Sequence, residues 1–485
     1  QFDVPQLAEA YKAYDLTRNE GKGFSESADS GTLGWGEGAV IQSYAQMWEA
    51  TEDAYWLNKI REHFQRIMTS ASDPDGDGFL SWSTKTYSCA AAHAERLHNV
   101  SEADIVVSLL PWTLHPVIAR LCLAHGKHMV TASYVKEEMQ AMDREARDKG
   151  LIFLNEVGVD PGLDHMSAMQ IIDAVRAEGG KIDSFFSYCG GLPALESNNN
   201  PLGYKFSWSP EGAMLAATND GRYMEHGKVY EVPGSDLFKH YWLKSVPGAG
   251  VFEAYVNRDA LPYLEIYGIE DASGMYRGTL RNVGYCETWD FIKQLGLLNR
   301  KMKFDFDEVS PREVLANIVN CPETKVRAGV AAYLKIPEHS LTLKKLEWLG
   351  LLSDRKLPIG TASVFEMFSH TLKHRLIYDE GEMDLLVMHH EFEAIYPDLP
   401  RQRIQSTLID HGVVGGDSSM SRTVGYPVGI AAGLLADGKI SLNGVLLPVH
   451  RKIYEPILTQ CQHQGIRFKE QRSDLDADER SYWGD

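Results

Sequence analysis

The sequence predicts an α/β protein built on a parallel sheet, and three observations carry that reading. First, three short apolar runs, Ala103–Leu110, His128–Ser133 and Leu151–Val159, alternate with segments of helical period, Thr113–His125 and Val135–Lys149. This is the β-α-β-α-β pattern of parallel strands joined by crossover helices. Second, the runs are apolar almost throughout, as befits strands covered on both faces. Third, each run is followed by polar or punctuated sequence: Ser108-Leu109-Leu110-Pro111-Trp112-Thr113, Thr131-Ala132-Ser133-Tyr134 and Asp160-Pro161-Gly162. Ligands of open parallel sheets sit at the carboxyl ends of the strands, so chemistry is expected at these three edges.

A chain of 485 residues with 44% hydrophobic content has material for roughly three domains and sizeable cores. A formal net charge of -19 and a pI near 5.4 argue against nucleic acid or an anionic membrane as partner. No apolar run approaches the roughly 20 residues of a membrane span, and no signal-peptide pattern is present. The cysteines (Cys89, Cys122, Cys189, Cys286, Cys321, Cys461) are scattered without a CxxC or a metal-type spacing. That usage predicts free thiols and a cytoplasmic location. The chain begins with Gln1 rather than Met, which reads as a fragment or a processed product.

Residues 1–90 have a different texture. Val40–Glu49 and Tyr55–Met68 carry helical spacing (Ile41, Tyr44, Ala45, Trp48; Ile60, Phe64, Ile67), and a polar loop, Ser70–Gly78, follows. With Gly34-Trp35-Gly36-Glu37-Gly38 leading into the first helix, the segment resembles one helical hairpin of the (α/α) toroids of sugar-active enzymes. One such hairpin has no closed core of its own. The glycine-rich run is not a dinucleotide fingerprint, since no apolar strand precedes it and its third glycine is misplaced. Asp73-Pro74-Asp75-Gly76-Asp77-Gly78 has the opening of a calcium loop, with Asp73, Asp75 and Asp77 as oxygen ligands. Its twelfth position is Thr84 where a bidentate Glu belongs, so an acidic surface turn is the competing reading and no metal is predicted.

From Ala103 onward the motifs become specific. Ser108-Leu109-Leu110-Pro111-Trp112-Thr113-Leu114-His115-Pro116, Val130-Thr131-Ala132-Ser133-Tyr134-Val135 and Gly158-Val159-Asp160-Pro161-Gly162-Leu163-Asp164-His165 are followed by Ser187-Tyr188-Cys189-Gly190-Gly191-Leu192-Pro193-Ala194. Then come Asn200-Pro201-Leu202-Gly203-Tyr204-Lys205-Phe206-Ser207-Trp208-Ser209, Tyr255-Val256-Asn257-Arg258-Asp259, Arg277-Gly278-Thr279-Leu280-Arg281 and Thr423-Val424-Gly425-Tyr426-Pro427. In this order they resemble the saccharopine dehydrogenases that release L-glutamate, also called saccharopine reductases.

The resemblance implies a truncated Rossmann-like parallel sheet at 91–163 that binds NADP or NAD. An inserted α+β substrate domain with a helical insert is expected at 164–415, and a C-terminal return to the first domain at 416–485. The helical segment 1–90 precedes all three. The local sequence fits this plan. His165–Glu178 has helical period and stops at Gly179-Gly180, and Lys181–Cys189 alternates as a strand. Ser418–Ala436 reads as a helix that Pro427 kinks or divides.

The implied reaction is oxidation of a secondary amine. Hydride leaves the glutamate-side Cα of saccharopine for the nicotinamide, and the imine is hydrolysed to L-glutamate and 2-aminoadipate 6-semialdehyde. The cofactor carries the hard step, so the protein must mainly hold and orient small molecules. Three substrate carboxylates call for arginine, and Arg258 matches the family's substrate arginine, with Thr279 a second substrate contact. Asp160 is a candidate acid/base and substrate contact, against the plainer reading of a helix N-cap. Cys189 reads as substrate-lining or as a small buried hydrophobe. Trp112, where the family has Tyr, Thr113 and Phe206 complete the substrate candidates. Leu109, Ser133, Tyr134, Val159, Pro161 and Trp208 are the cofactor candidates; core packing is an equal reading for Phe206 and Trp208. His165 reads as structural.

One feature departs from the family. A strand and a glycine-rich turn, which aims a helix N-terminus at the pyrophosphate, belong where residues 1–90 stand, and the sequence supplies no such turn. The chain therefore reads as a hybrid, with the strand edge at Ala103–Leu110 lacking its usual neighbours. NAD versus NADP stays open with the ribose-reading strand absent. The alternatives are a non-catalytic amino-acid binder that keeps Arg258 and Thr279, and a carbohydrate-active protein defined by its N-terminus. A related opine-type or carboxynorspermidine dehydrogenase is a third; the Tyr188–Ala194 and Tyr204–Trp208 runs favour saccharopine over it. A homodimer is expected by analogy with other soluble dehydrogenases.

Overall fold

The structure is a computed structural model. It describes residues 4–17, 20, 22, 25–26, 40–41, 44, 47, 54–70, 100, 103–110 and 112–475. The chain divides into two compact units, one running to Met166 and including Ser421–Gln464, the other comprising Ser167–Met420 and the chain from Gly465.

The first unit holds a four-stranded, all-parallel sheet. Its strands are β1 (Ile105–Val107), β2 (His128–Val130), β3 (Ile152–Leu154) and, from far along the chain, β14 (Gly444–Leu446), in the order β1-β2-β3-β14. The three apolar runs thus form the parallel strands that their spacing predicts, and β14 joins from the C-terminal part. Helix His115–His125 makes the first crossover and ends at Gly126 in the left-handed region, whose N–H bonds to Cys122 O. The second crossover, expected as one helix, is two: Glu137–Gln140 and Asp143–Asp148. The turn between them lets Met139, Met142 and Ala146 all reach the core, where they join Val106, Ile118, Cys122, Met129, Phe153 and Val445. β1 is the terminal strand of this sheet among the described residues.

β3 is shorter than the run that predicts it, which extends to Val159. The strand stops at Leu154, and Glu156 turns the chain with φ 58°. A tight turn through Gly158–Gly162 then leads into helix Leu163–Ala177. Helix Ser419–Ala436 contains Pro427 in its interior and continues through it.

Of residues 1–90, the described parts include helices Val4–Thr17 and Ala54–Ser70, the second coinciding with the expected Tyr55–Met68. Trp56, Tyr44 and Val40 are buried together, and the buried Asp15 carboxylate binds Lys59 at 3.0 Å and the Tyr44 hydroxyl. The Asp73, Asp75, Asp77 loop lies outside the described residues. Cys122, Cys189, Cys286, Cys321 and Cys461 are free thiols. No helix among the described residues is long and apolar enough to cross a membrane.

The second unit is a mixed, nine-stranded sheet. Its strands are β4 (Lys181–Pro193), β5 (Gly221–Glu225), β6 (Lys228–Val232), β7 (Tyr241–Val246), β8 (Gly250–Val256), β9 (Gly274–Arg281), β12 (Asp384–Ile395), β13 (Gln402–His411) and β15 (Lys469–Asp474). They run β15-β13-β12-β4-β9-β5-β6, and β8 pairs with β9 and carries β7. Only β4 and β9 pair in parallel. A small antiparallel pair, β10 (Lys303–Asp305) and β11 (Thr361–Ser363), accompanies short helices between Pro311 and Arg375. Two of these helices start with complete capping boxes, Ser310/Glu313 and Ser363/Glu366.

The sequence gives all of 416–485 to the first unit, but β15 pairs antiparallel with β13 in the second sheet. It covers the β13 edge there, and Arg472 ties it at 2.8 Å to Glu178 at the end of helix Leu163–Ala177.

Candidate active site

The carboxyl edge of the first sheet is built by loops that leave their strands in hydrogen-bonded order. Ser108 N–H still donates to Val130 O and Thr131 N–H to Leu154 O, each at 2.9 Å. Just beyond, Leu109 and Trp112 are exposed by 41% and 60%, and Thr113 is exposed beside them. The Lys136 ammonium stands 5.7 Å over the Trp112 ring. Large apolar side chains held in water at a strand edge are suited to receive a flat ligand ring. Beneath them His115 is buried, with Nδ1 2.8 Å from Ser108 Oγ and Nε2 2.7 Å from Ser133 Oγ. Burial pushes its pKa down to about 4, so the ring is neutral at physiological pH.

The turn after β3 is fixed by backbone bonds. Gly158 N–H donates to Pro161 O at 3.0 Å, Leu163 N–H to Gly158 O at 2.9 Å, and Asp164 N–H to Val159 O at 3.1 Å. Asp160 is half-buried at the turn's tip and accepts the Tyr134 hydroxyl at 3.3 Å, which brings two candidates together. Val159 and Pro161 are buried, and their carbonyls serve the turn itself. Both residues thereby shape the turn from which a cofactor contact is expected. His165 is fully buried, 2.9 Å from Glu156, in agreement with a structural role.

In the second unit the sheet register assembles another group. Cys189 on β4 lies opposite Thr279 on β9, and Thr279 lies opposite Tyr255 on β8. Directly paired residues share a face, so these side chains stand in one row, with Cys189 and Thr279 half-buried. Arg258 follows β8, exposed, with φ 61°. Its carbonyl accepts from Arg222 N–H at 2.9 Å, and the neighbouring Asp259 is gripped by the Arg222 guanidinium at 2.7 Å. Phe206 is fully buried, with its ring 5.4 Å edge-on to Tyr204 and its N–H bonded to Leu376 O. This packing matches the core reading set beside the substrate one for Phe206. Trp208 is half-buried beside Ser209, the cap of helix Pro210–Ala216.

One residue missing from the sequence candidates is Arg281. It lies on the same face of β9 as Thr279, two residues on, and is 6% exposed. Its guanidinium carbon is 5.1 Å from the Tyr204 ring and 5.4 Å from the Tyr285 ring. Nη1 donates to Leu280 O at 2.8 Å, while Nε is buried without a hydrogen-bond partner. Glu253 stands opposite on β8, but its carboxylate accepts from Gly284 and Cys286 N–H, at 2.7 Å each. No carboxylate among the described residues forms an ion pair with Arg281. Burial pushes Tyr255 up to about 12 and raises Tyr204 and Tyr285 as well, so the surrounding phenols are neutral. The period-2 alternation of Arg277-Gly278-Thr279-Leu280-Arg281 was the available signal, since it places Arg281 wherever Thr279 faces.

Residues 158–466 match the family profile described as saccharopine dehydrogenase C-terminal domain, and 61–154 the saccharopine dehydrogenase NADP binding domain. The chain belongs to the saccharopine dehydrogenase family. Among its relatives, the saccharopine dehydrogenase [NADP(+), L-glutamate-forming] of Schizosaccharomyces pombe is 38% identical over 386 residues, covering 77% of this chain and 85% of the other. The mitochondrial alpha-aminoadipic semialdehyde synthase of Bos taurus is 38% identical over 77% of this chain and 41% of its own length. The solved apo structure of saccharopine dehydrogenase (L-Glu forming) from Saccharomyces cerevisiae superposes with a TM-score of 0.71 at 34% identity, covering 77% and 85% of the two chains. The NADP-domain match begins at Arg61, upstream of the motifs quoted above and inside the stretch first likened to a toroid.

At the carboxyl edge of the parallel sheet the described residues offer groups that suit the ring end of NADP. Leu109 and Trp112 offer apolar faces at the edge of the parallel sheet, and Ser133 Oγ and Tyr134 offer polar groups beside them.

Proposed function

We propose that this chain interconverts saccharopine with L-glutamate and 2-aminoadipate 6-semialdehyde. NADP, when bound, supplies the hydride acceptor. The observation that carries the reading is Arg281, a guanidinium buried among neutral aromatic rings without a carboxylate partner. A buried charge lacking a counter-charge is costly, and a substrate carboxylate offsets that cost where water is excluded. Saccharopine has three carboxylates. Arg258 is an exposed second guanidinium, and Thr279, on the Arg281 strand, adds a hydroxyl in register with Cys189.

The remaining candidates divide the work as follows. Leu109 contacts the nucleotide at the edge of the parallel sheet, and Trp112 and Thr113 are the substrate candidates on the same edge. Within the first unit Tyr134 and Asp160, linked by their hydrogen bond, can hold and pass a proton, which makes Asp160 the acid/base candidate for the step from amine to imine and the hydration that follows. Thr279 and Cys189 line the substrate, while Arg258 and Arg281 fix its carboxylates and hence the position of the carbon that loses hydride.

The test is calorimetric titration of the full chain with NADPH, NADH and saccharopine, followed by turnover at saturating ligand. Binding of NADPH and saccharopine with turnover is expected. Saccharopine binding with no nucleotide binding would instead support the non-catalytic binder, and binding of neither would overturn the functional reading.

A further inference from the structure

His115 and the three hydroxyls around it form a hydrogen-bonded group that joins the carboxyl ends of β1 and β2. Ser108 Oγ lies 2.8 Å from Nδ1, Ser133 Oγ 2.7 Å from Nε2 and Thr131 Oγ1 3.3 Å from Nε2, while Ser133 N–H donates to Thr131 Oγ1 at 3.3 Å. His115, Ser108 and Thr131 are buried, whereas Ser133 is half-buried on the edge that faces ligands.

Proton counting decides the tautomer. A neutral imidazole has one N–H and one lone pair. With the proton on Nδ1, Ser108 would receive it, and among the described residues the buried Ser108 hydroxyl would have no acceptor for its own proton. The Ser133 and Thr131 hydroxyls would also compete for the one lone pair of Nε2. With the proton on Nε2, Ser108 donates to Nδ1 and Nε2–H donates to Ser133, the nearer oxygen. Ser133, at 2.7 Å against 3.3 Å for Thr131, is the oxygen paired with Nε2 in either case, so among the described residues the buried Thr131 hydroxyl proton has no acceptor in either arrangement. The first arrangement thus leaves two buried hydroxyl protons unpaired, on Ser108 and Thr131, and the second leaves one, so the second is the lower in free energy. It has a consequence for Ser133: its oxygen is engaged as an acceptor from behind, and its own proton is left to be donated forward.

We propose that His115 is a positioning residue that holds the Ser133 hydroxyl as a directed donor to an oxygen of a bound reactant. The acceptor is a carbonyl or carboxylate oxygen, either the nicotinamide carboxamide of the nucleotide or a carboxylate of the amino-acid substrate. The proposal rests on the dehydrogenase reading for the identity of the reactants. The imidazole contributes through Ser133 and touches neither reactant.

Two measurements on the full chain test it. Nitrogen-15 NMR of labelled histidine reads the tautomer directly, with or without ligand. Protonation at Nε2 is expected, and protonation at Nδ1 would overturn the positioning role whatever the activity. Titrations of NADPH and of saccharopine with Ser133→Ala, His115→Phe and the double variant then identify the reactant. Ser133→Ala and His115→Phe should each weaken the same one of the two ligands by roughly tenfold, about one hydrogen bond. The double variant should be no weaker than either single one, because both remove the same donor. His115→Gln, whose amide nitrogen reaches the Nε2 position, should restore most of the affinity. A merely structural histidine would weaken both ligands, add to Ser133→Ala and gain nothing from Gln, and that pattern would overturn the proposal. If the unsubstituted chain binds neither ligand, the functional reading falls and the ligand half of this proposal with it, while the tautomer result stands separately.

Discussion

Glu156 Oε2 and His165 Nε2 lie 2.9 Å apart in the interior, and the other oxygen of the same carboxylate accepts from Val135 N–H at 2.9 Å. One buried side chain therefore pins the loop after β2, the turn after β3 and the start of helix Leu163–Ala177. Glu156→Ala strands both the His165 ring and the Val135 N–H, and a destabilisation of about 3 kcal/mol is expected. Glu156→Gln keeps an acceptor for Val135 and should cost about 1 kcal/mol. Urea denaturation of the two variants checks this. Equal, small effects would show that the pair is not a tie.

Gly162 has φ 150°, and a Cβ placed on it would fall 2.0 Å from Gly158 O. That atom is backbone within the turn that presents Asp160, so no side-chain movement relieves the clash. Gly162→Ala is expected to cost more than ~3 kcal/mol and to reduce saccharopine turnover even in the folded fraction. Thermal unfolding and activity per folded molecule measure the two effects. A stable, fully active variant would mean the turn opens freely.

The sequence was most informative where function and local pattern coincide. The parallel strands were legible because apolar runs of strand length alternate with helical period, and helix Leu163–Ala177 because Gly179-Gly180 ends it. Arg258, Thr279 and Cys189 were candidates by resemblance alone, and the register places the last two side by side. What escaped depends on contacts distant in sequence. The packing of Phe206 against Tyr204 and the Leu376 backbone is one such contact. The residues of β15 are charged and carry no apolar alternation, so nothing local could announce their pairing with β13. Arg281 looked like an ordinary strand residue because its aromatic surroundings come from Tyr204 and Tyr285, on other elements.

The pH dependence of stability follows from His115. Its pKa falls from the ordinary 6.5 to about 4 on burial, so between these values the unfolded chain binds a proton that the folded chain refuses. Its contribution is whole above pH 6.5, declines as pH drops towards 4 and levels off below, for a total of about 3 kcal/mol. Glu391, held down to about 2 despite burial by His389 and Lys244, adds a further loss at lower pH, from its ordinary 4.5 downward. Denaturation across this range with His115→Gln isolates the first part: the variant should lose roughly 3 kcal/mol less than the unsubstituted chain between pH 7 and 4. An identical pH profile for the two would count against the depressed value.

Arg258 pairs strain with a proposed function. A non-glycine residue at φ 61° carries strain of about 1 kcal/mol, and here the side chain is exposed and buries no core. Arg258→Gly relieves that strain and gives up the side chain's own contacts, so stability should change by no more than about 1 kcal/mol. The same change should raise the KM for saccharopine at least tenfold, since it removes one charge-assisted contact to a carboxylate. Unfolding midpoints and steady-state kinetics read the two halves separately. A variant that loses stability and keeps its KM would assign Arg258 a structural role instead.

Arg281 gives the sharpest test of the substrate reading, because its surroundings discriminate between the two cationic side chains. The guanidinium lies among the Tyr204 and Tyr285 rings and presents a planar fork, whereas an ammonium is a hydrated point charge that neither stacks nor binds two oxygens at once. Arg281→Lys conserves charge yet should weaken saccharopine by roughly 100-fold, near 3 kcal/mol for a bidentate charge-assisted contact. Arg281→Met removes a buried charge with no carboxylate partner, so the fold should tolerate it or gain stability, while saccharopine affinity falls at least as far. NADPH affinity, which depends on the other unit in this reading, should stay within twofold of the unsubstituted chain, roughly 0.4 kcal/mol. Isothermal titration with each ligand measures all three quantities. If Arg281→Met collapsed the fold while Arg281→Lys bound saccharopine normally, the guanidinium would be part of the aromatic packing and the substrate carboxylate would be held elsewhere.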